Sequence, residues 1–344
     1  MTLTQSGLRF LSGMFQTIDC ARLDFDDTTF LMSYPLEAPS VTQSAAAIGV
    51  VHPIVVAGCP CHGKYQIIAG FRRAHAFRRL GIKMIHANIQ ERQAALQPMA
   101  FDLALRENLS HRRFNHVEKA LILSKLSTRF AWPQEVVIRD YLPLLDLAPN
   151  EKVLNVYLKL WNFDEELKGY IACHDLPLTL IELLAGFSSN DRRSIFLLIS
   201  ELKVGVNKLK ELLNYLEEIS LRDERTISTI LASQEIRAIL TDQKHRGPQR
   251  IDALRAALRT QRFPRLSRLE SQYQETLQRL KPSCGIRLTT DRIFEDDSMN
   301  AAFRFSSPEE LKTAATELLR LSETPELDTI LRLIRGEVTQ PLSQ

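Results

Sequence analysis

Tyr65-Gln66-Ile67-Ile68-Ala69-Gly70-Phe71-Arg72-Arg73-Ala74-His75-Ala76-Phe77-Arg78-Arg79-Leu80-Gly81 is the stretch on which the reading of this chain turns. The apolar run before Gly70 reads as a short strand. The segment after it reads as a helix, Phe71 to Leu80, closed by Gly81. From Gly70 to Lys83 the chain carries Arg72, Arg73, Arg78, Arg79 and Lys83 and no carboxylate. A glycine at a strand-to-helix junction lets backbone N–H groups and the helix N-terminus approach a phosphate, and arginines in the first turn add charge-assisted contacts. The segment therefore predicts a polyanion site.

Working outward, His52 to Ala57 and Lys64 to Ala69 read as two hairpin strands, Met84 to Ile89 as another, and Ser44 to Val50 as a small-residue helix ending near Gly49. Between the hairpin strands lie Cys59, Cys61 and His62, which could begin a zinc site. No second Cys/His pair at ligand spacing follows, so a hairpin turn is the favoured reading over a metal or redox site. From about Met99 to Leu240 the apolar spacing becomes helical almost throughout. Within it, Gln134 to Leu147 and Glu151 to Trp161 flank a break at Pro149-Asn150, the shape of a helix-turn-helix whose second helix would present Lys152, Asn155 and Lys159 to DNA. An ordinary helical bundle also yields such pairs.

Beyond a break near Thr241 to Pro248, the positive residues Lys244, Arg246, Arg250, Arg255, Arg259, Arg262, Arg265 and Arg268 occur with one acid, Asp252, among them. The stretch is either a solvated helix face or a phosphate-tracking surface, with Arg250, Arg255, Arg259 and Arg262 as its DNA contacts. Leu266 to Leu280 reads as an amphipathic helix, followed by strands Cys284 to Thr290 and Asn300 to Phe305. A helix Pro308 to Leu321, capped by Ser306 or Ser307, ends the series. A unit this small predicts a second copy to bury its apolar face.

Composition frames these motifs. The 344 residues are 44% hydrophobic and 25% charged, enough for two or three ordinary cores, and a net charge of +3 bears on nucleic acid only where the positive residues cluster. There is no run of about 18 apolar residues, and the first twenty residues lack the pattern of a signal peptide. Five scattered cysteines fit reduced thiols. The expectation is a cytoplasmic protein without a membrane segment.

Three segments together resemble the ParB/Spo0J partition family. SAAAIGVVHPIVV at 44–56 is similar to the family's first box, GFRRAHA at 70–76 to its arginine box, and RENLSHRRFNHVEKA at 106–120 to its third box, in the same order and spacing. The resemblance extends over roughly residues 20–321 and implies an α+β multidomain architecture. A ParB-like mixed α/β nucleotide-binding domain would occupy 15–98, a helical DNA-binding domain 99–240 with the helix-turn-helix at about 134–161, a basic linker 241–265, and a small α/β dimerisation domain 266–335. It also implies CTP and Mg2+ as ligands, double-stranded DNA as partner, a homodimer, and a ParA-type ATPase.

Carried over by position, Gly70, Arg72, Arg73, His75, Glu107, Asn108 and Arg112 would hold the nucleotide, with Glu107 and Asn108 beside the metal. The arginine box has Phe71 where the family has an acid and His75 where it has an arginine, and the third box has Ser110 and His111 for glutamine and arginine. These departures favour binding over turnover, at most a weak CTPase. The alternative is an enzyme on the same scaffold, nuclease-like or a small-molecule kinase. Sulfiredoxin-like redox chemistry is set aside because position 71 is phenylalanine.

Overall fold

A computed structural model describes residues 14–49, 52–58, 63–90, 97–202, 204–242, 247–290, 297–335 and 337. The Cys59–His62 cluster and Lys244 and Arg246 lie outside the described residues. The chain divides into two compact units, 1–197 and 198–344.

The first unit opens on a five-stranded sheet in the order β1-β5-β3-β4-β2, with β1 Met14–Asp19, β2 Leu23–Asp24, β3 Ile54–Gly58, β4 Tyr65–Ala69 and β5 Met84–Gln90. The expected antiparallel pair β3/β4 is present, with Val56 opposite Ile67 and an irregularity between Val55 and Val56. β5 runs parallel to β3 and antiparallel to β1. Ile54, Val56, Ile67 and Ile85 are fully or almost fully buried, which is why these apolar runs read so clearly as strands. Helix α1 spans Pro39–Ile48, longer toward its N-terminus than its small-residue core suggests. Helix α2, Phe71–Arg79, follows β4 through Gly70 and buries Phe71, Ala74, Ala76 and Phe77.

The rest of the unit is helical. After α3 (Gln97–His111) comes α4 (His116–Ser124), continued by a π-turn at Lys125–Arg129. The expected helix from Gln134 forms in three consecutive pieces, Gln134–Val136, a π-turn Val137–Tyr141, and Leu142–Leu144, here α5 together. It ends sooner than Leu147, where Asp146 takes a positive φ of 55°. Then α6 spans Glu151–Trp161, capped by the Asn150 side chain accepting from Val153 N at 2.9 Å. Helices α7 (Glu165–His174) and α8 (Leu178–Gly186) follow, and α9 (Ser189–Leu202) runs across the unit boundary.

The second unit contains α10 (Val206–Asp223), α11 (Ile227–Leu231), α12 (Gln234–Thr241), α13 (Gly247–Arg262) and α14 (Pro264–Leu280). Residues 247–262, expected within a basic linker, are therefore a helix. Ile251, Leu254, Ala257 and Leu258 recur at helical spacing and are buried, so the segment has a core face that its arginine count conceals. Short strands β6 (Arg287–Thr289) and β7 (Asn300–Ala302) pair antiparallel, each shorter than expected. Helix α15 (Pro308–Ser322) is capped by Ser307, and a further helix, α16 (Pro325–Ile334), extends the unit. Tyr273, Leu280, Ile286, Leu321, Ile330 and Ile334 form its buried core. The contribution of α16 explains why a segment of this size packs a core of its own.

Candidate functional site: an arginine-lined cavity

A cavity of about 880 Å3 opens in the first unit where the end of β4, the start of α2, the end of α3, α1 and the segment 30–33 meet. Its volume falls within the roughly 300–1,000 Å3 of ordinary small-ligand sites. Gly70, Arg72, Arg73, Glu107, Asn108 and Arg112 all line it, although α2 and α3 are separated in sequence by β5.

Gly70 sits at the N-cap of α2 with φ of 94°. A Cβ at this position would meet Ile54 Cγ2 at 2.7 Å and Arg73 Nη2 at 3.1 Å. Both the left-handed backbone and the close approach of β3 therefore require glycine here.

The three arginines are held differently. Arg72 donates through Nη2 to Glu118 Oε1 at 2.9 Å and to Tyr34 O at 3.3 Å, and through Nε and Nη2 to Pro35 O at 3.1 and 3.0 Å. Arg112 donates to the same Glu118 oxygen at 2.7 Å, to Asn108 Oδ1 at 3.3 Å, and to Met32 O and Ser33 Oγ. Arg73 donates only from Nη1, to His52 O at 2.6 Å and Pro53 O at 2.9 Å, and forms no salt bridge among the described residues. Burial pulls the Arg72 and Arg73 guanidinium groups below their usual range, opposed for Arg72 by Glu118 and for Arg73 by Glu107. A cation held by neutral carbonyls in a partly buried wall is stabilised further by an anionic ligand.

Glu118 organises this wall, although it is not among the residues expected to hold the nucleotide. Its side chain is only 2% exposed. Asn115 and Glu118 form a capping box at the start of α4: Asn115 Oδ1 accepts from Glu118 N at 2.9 Å, and Glu118 Oε2 accepts from Asn115 N at 3.1 Å. That leaves Oε1 to receive Arg72, Arg112 and the Tyr34 amide. The Asn-x-x-Glu spacing before an apolar run is a visible signal for the cap. Nothing local indicates that the same carboxylate also binds two arginines.

One wall is pinned from further along α4. Lys125, at the start of the π-turn, donates to Leu31 O at 2.6 Å, to Thr29 O at 3.3 Å and also to Thr28 O. It thereby fixes the segment whose Phe30, Met32 and Ser33 face the cavity. Burial pushes the Lys125 ammonium down to about 7.

The acidic candidate Glu107 is accessible, with His111 Nε2 3.9 Å from its Oε1. A carboxylate so placed fits a hard cation that takes its other oxygens from phosphate and water. Asn108 is more committed: its Nδ2 donates to Ala104 O at 2.7 Å and its Oδ1 accepts from Arg112. No cluster of three or more His, Cys, Asp or Glu suited to a metal occurs among the described residues.

His75 does not line the cavity. It lies two residues past Arg73, roughly 160° around the helix, and packs edge-on against Phe25 with ring centroids 5.0 Å apart. Burial lowers its pKa.

The DNA candidates separate into two groups. Lys152, Asn155 and Lys159 recur at i, i+3 and i+7 and are all exposed on one face of α6. The opposite face buries Val153, Leu154, Val156, Tyr157 and Leu160. The arginines of α13, by contrast, are paired with acids: Arg250 with Glu201 at 3.1 Å, Arg255 with Glu211 at 2.5 Å, Arg259 with Glu270 at 2.6 Å, and Arg262 with Glu218. The acids that meet these arginines come from α9, α10 and α14 as well as from Asp252 within α13, and a local count of acids reveals only the last.

Part of the chain is similar to known proteins. The ParB N-terminal domain family matches residues 35–109. Over 138 residues the chain is 35% identical to the chromosome-partitioning protein ParB of Caulobacter vibrioides strain NA1000, covering 40% of this chain and 42% of that protein. Over 81 residues it is 37% identical to the nucleoid occlusion protein of a Geobacillus species, covering 23% and 26%. The probable chromosome-partitioning protein ParB of Coxiella burnetii is 31% identical over 124 residues, 33% of this chain and 41% of that one. The chain spans less than half the length of these curated relatives. Among solved structures, C-terminally truncated ParB of Caulobacter crescentus complexed with CTP-γ-S has 21% identity and a TM-score of 0.26, covering 54% of this chain and 99% of that one. The same protein complexed to the centromeric parS site has 19% identity and a TM-score of 0.32, covering 58% and 98%. No described helix is long and apolar enough to cross a membrane. Residues 35–109, the segment that matches the ParB N-terminal domain family, supply most of the lining of the arginine-lined cavity.

Proposed function

We propose that this chain is a CTP-responsive, DNA-binding partition-type protein whose nucleotide site is the arginine-lined cavity. The observation that carries the reading is the convergence of Gly70, Arg72, Arg73, Arg112 and Glu107 on one cavity of nucleotide size. Gly70 and the N-terminus of α2 give a phosphate close access to backbone N–H groups. Arg73, with Nε and Nη2 uncommitted among the described residues, is the principal charged donor. Arg72 and Arg112, already oriented by Glu118, add positive charge beside it. Glu107, with Asn108 beside it, would hold a Mg2+ ion that accompanies the nucleotide, and the ion would neutralise phosphate charge. The choice of CTP among nucleotides follows the family resemblance.

An enzyme-only reading has less support. Phe71, which stands where the family has an acid, is the first residue of α2 and only 5% exposed, and no cysteine is among the described residues lining the cavity. Isothermal calorimetry with CTP and Mg2+ tests the assignment: saturable binding is expected, and its absence would remove it.

DNA contact is assigned to the exposed face of α6. Lys152→Ala and Asn155→Ala should reduce discrimination between a specific site and random duplex by about five- to a hundredfold, because a hydrogen bond to a base edge is worth about 1–3 kcal/mol of discrimination. Competition gel shifts measure this. An equal loss for all duplexes would instead make these residues backbone contacts.

The proposed dimer interface lies in the C-terminal part of the second unit. Leu319 is 68% exposed and Phe305 54% exposed beside the core of α14, α15 and α16. Deleting residues 264–344 should convert a dimer into a monomer by multi-angle light scattering, whereas a dimer that persists would place the interface elsewhere. The cut belongs after Phe263, because α13 packs with α10 and α12 and must stay with them.

A further inference from the structure

We propose that Tyr34 is a coupling residue through which occupancy of the arginine-lined cavity changes the seating of the C-terminal end of α6. The proposal rests on the nucleotide reading above and adds a route by which the site acts on the helix assigned to DNA. The segment Met32 to Pro35 is gripped by the cavity's own cations. Arg112 donates to Met32 O, while Arg72 donates to both Tyr34 O and Pro35 O. The Tyr34 amide donates to Glu118, and Asn115 Nδ2 donates to Tyr34 O at 2.8 Å. The backbone of Tyr34 is therefore fixed by the same guanidinium groups that face the cavity.

Its side chain reaches the other way. Tyr34 Oη donates to the Glu165 carbonyl and to Glu165 Oε2, each at 3.1 Å, at the first turn of α7. Lys168, one turn on, donates to Glu165 Oε1 at 2.5 Å and to Trp161 O, in the last residue of α6, at 3.2 Å. The Lys168 ammonium also lies 4.3 Å from the centroid of the Trp161 ring and 5.9 Å from that of Tyr34, and the residue is 3% exposed. An unbroken series of polar contacts thus runs from Arg72 through Tyr34, Glu165 and Lys168 to the end of α6. The middle of α6 is anchored separately, by His116 Nδ1 and Tyr157 Oη at 2.6 Å. Displacement of Tyr34 therefore acts on the C-terminal end of α6 and leaves its middle in place.

The physical cause of coupling is competition for a limited number of N–H groups. Phosphate oxygens drawn to Arg72 and Arg112 compete with the carbonyls of Met32, Tyr34 and Pro35 for the same donors, and a charged acceptor is the stronger of the two. The gripped segment is only four residues long, so a shift of its backbone moves the phenol against Glu165.

Hydrogen exchange of the full chain, with and without CTP·Mg2+, tests this. In the wild-type chain the nucleotide should slow exchange across 70–79 and 107–112, and should also change exchange at 158–168 by about fivefold, the low end of coupling between two sites. In Tyr34→Phe, which keeps the ring and removes the hydroxyl, the cavity response should persist and the response at 158–168 should disappear. Glu165→Ala, which removes the carboxylate that receives both the Tyr34 hydroxyl and Lys168, should weaken it in the same way. The proposal is overturned if CTP protects the cavity and leaves 158–168 unchanged in the wild-type chain, or if both variants retain the distant response. Absence of protection at the cavity itself would instead overturn the nucleotide reading, and the coupling with it.

Discussion

Replacing Glu118 by alanine will lower the melting temperature of the first unit more than any substitution of a cavity arginine. Glu118 is 2% exposed and its Oε1 receives Arg72 at 2.9 Å and Arg112 at 2.7 Å, so truncation leaves two partly buried guanidinium groups without their counter-charge. Breaking a buried pair by removing one partner costs about 3–5 kcal/mol, which exceeds the loss of the N-terminal cap alone, about 1 kcal/mol. For a unit of this size the cost corresponds to a fall of roughly 6–20 °C. Glu118→Gln keeps one oxygen acceptor and should fall less. Differential scanning calorimetry decides the matter: a Glu118→Ala midpoint within about 2 °C of wild type would show that the carboxylate contributes little to holding the wall.

Arg73→Ala will remove most of the nucleotide affinity while leaving the fold nearly intact. Arg73 is bound to two neutral carbonyls and to no carboxylate at salt-bridge distance among the described residues, so little protein structure depends on its charge. A charge-assisted hydrogen bond to phosphate contributes about 1.5–3 kcal/mol, or about ten- to a hundredfold in affinity. Arg72→Ala should combine a smaller direct loss with a measurable fall in stability, because Arg72 is bound to Glu118 and to two carbonyls. Calorimetric titration and thermal melts together distinguish the two roles. Equal affinity losses and equal stability losses for both variants would refute the division of labour between the arginines.

Recognition of the N-terminal region needs only local features. The strand-glycine-helix junction at 65–79 is legible because the buried strand residues form a continuous apolar run and Gly70 occupies a position that only glycine fills without strain. Helix α6 begins and ends where the Asn150 cap and the apolar spacing place it. Strand β1 carries no such signal. All but Ile18 of its residues are exposed, and it is a strand by virtue of pairing with β5 some seventy residues away.

Neighbours along the chain suffice to place the strand-glycine-helix junction, the basic residues beside it and the exposed polar face of α6. Which of those charges are already spoken for depends on how the chain packs. Glu118 is bound to arginines 46 residues before it and six residues before it, and Arg255 and Arg262 are each bound to an acid 44 residues earlier. His75 belongs to the same box as Arg72 and Arg73 yet packs edge-on against Phe25 and is not among the residues lining the cavity. Charge and hydrogen bonding act through distances of a few ångströms in space, and separation along the chain does not report those distances.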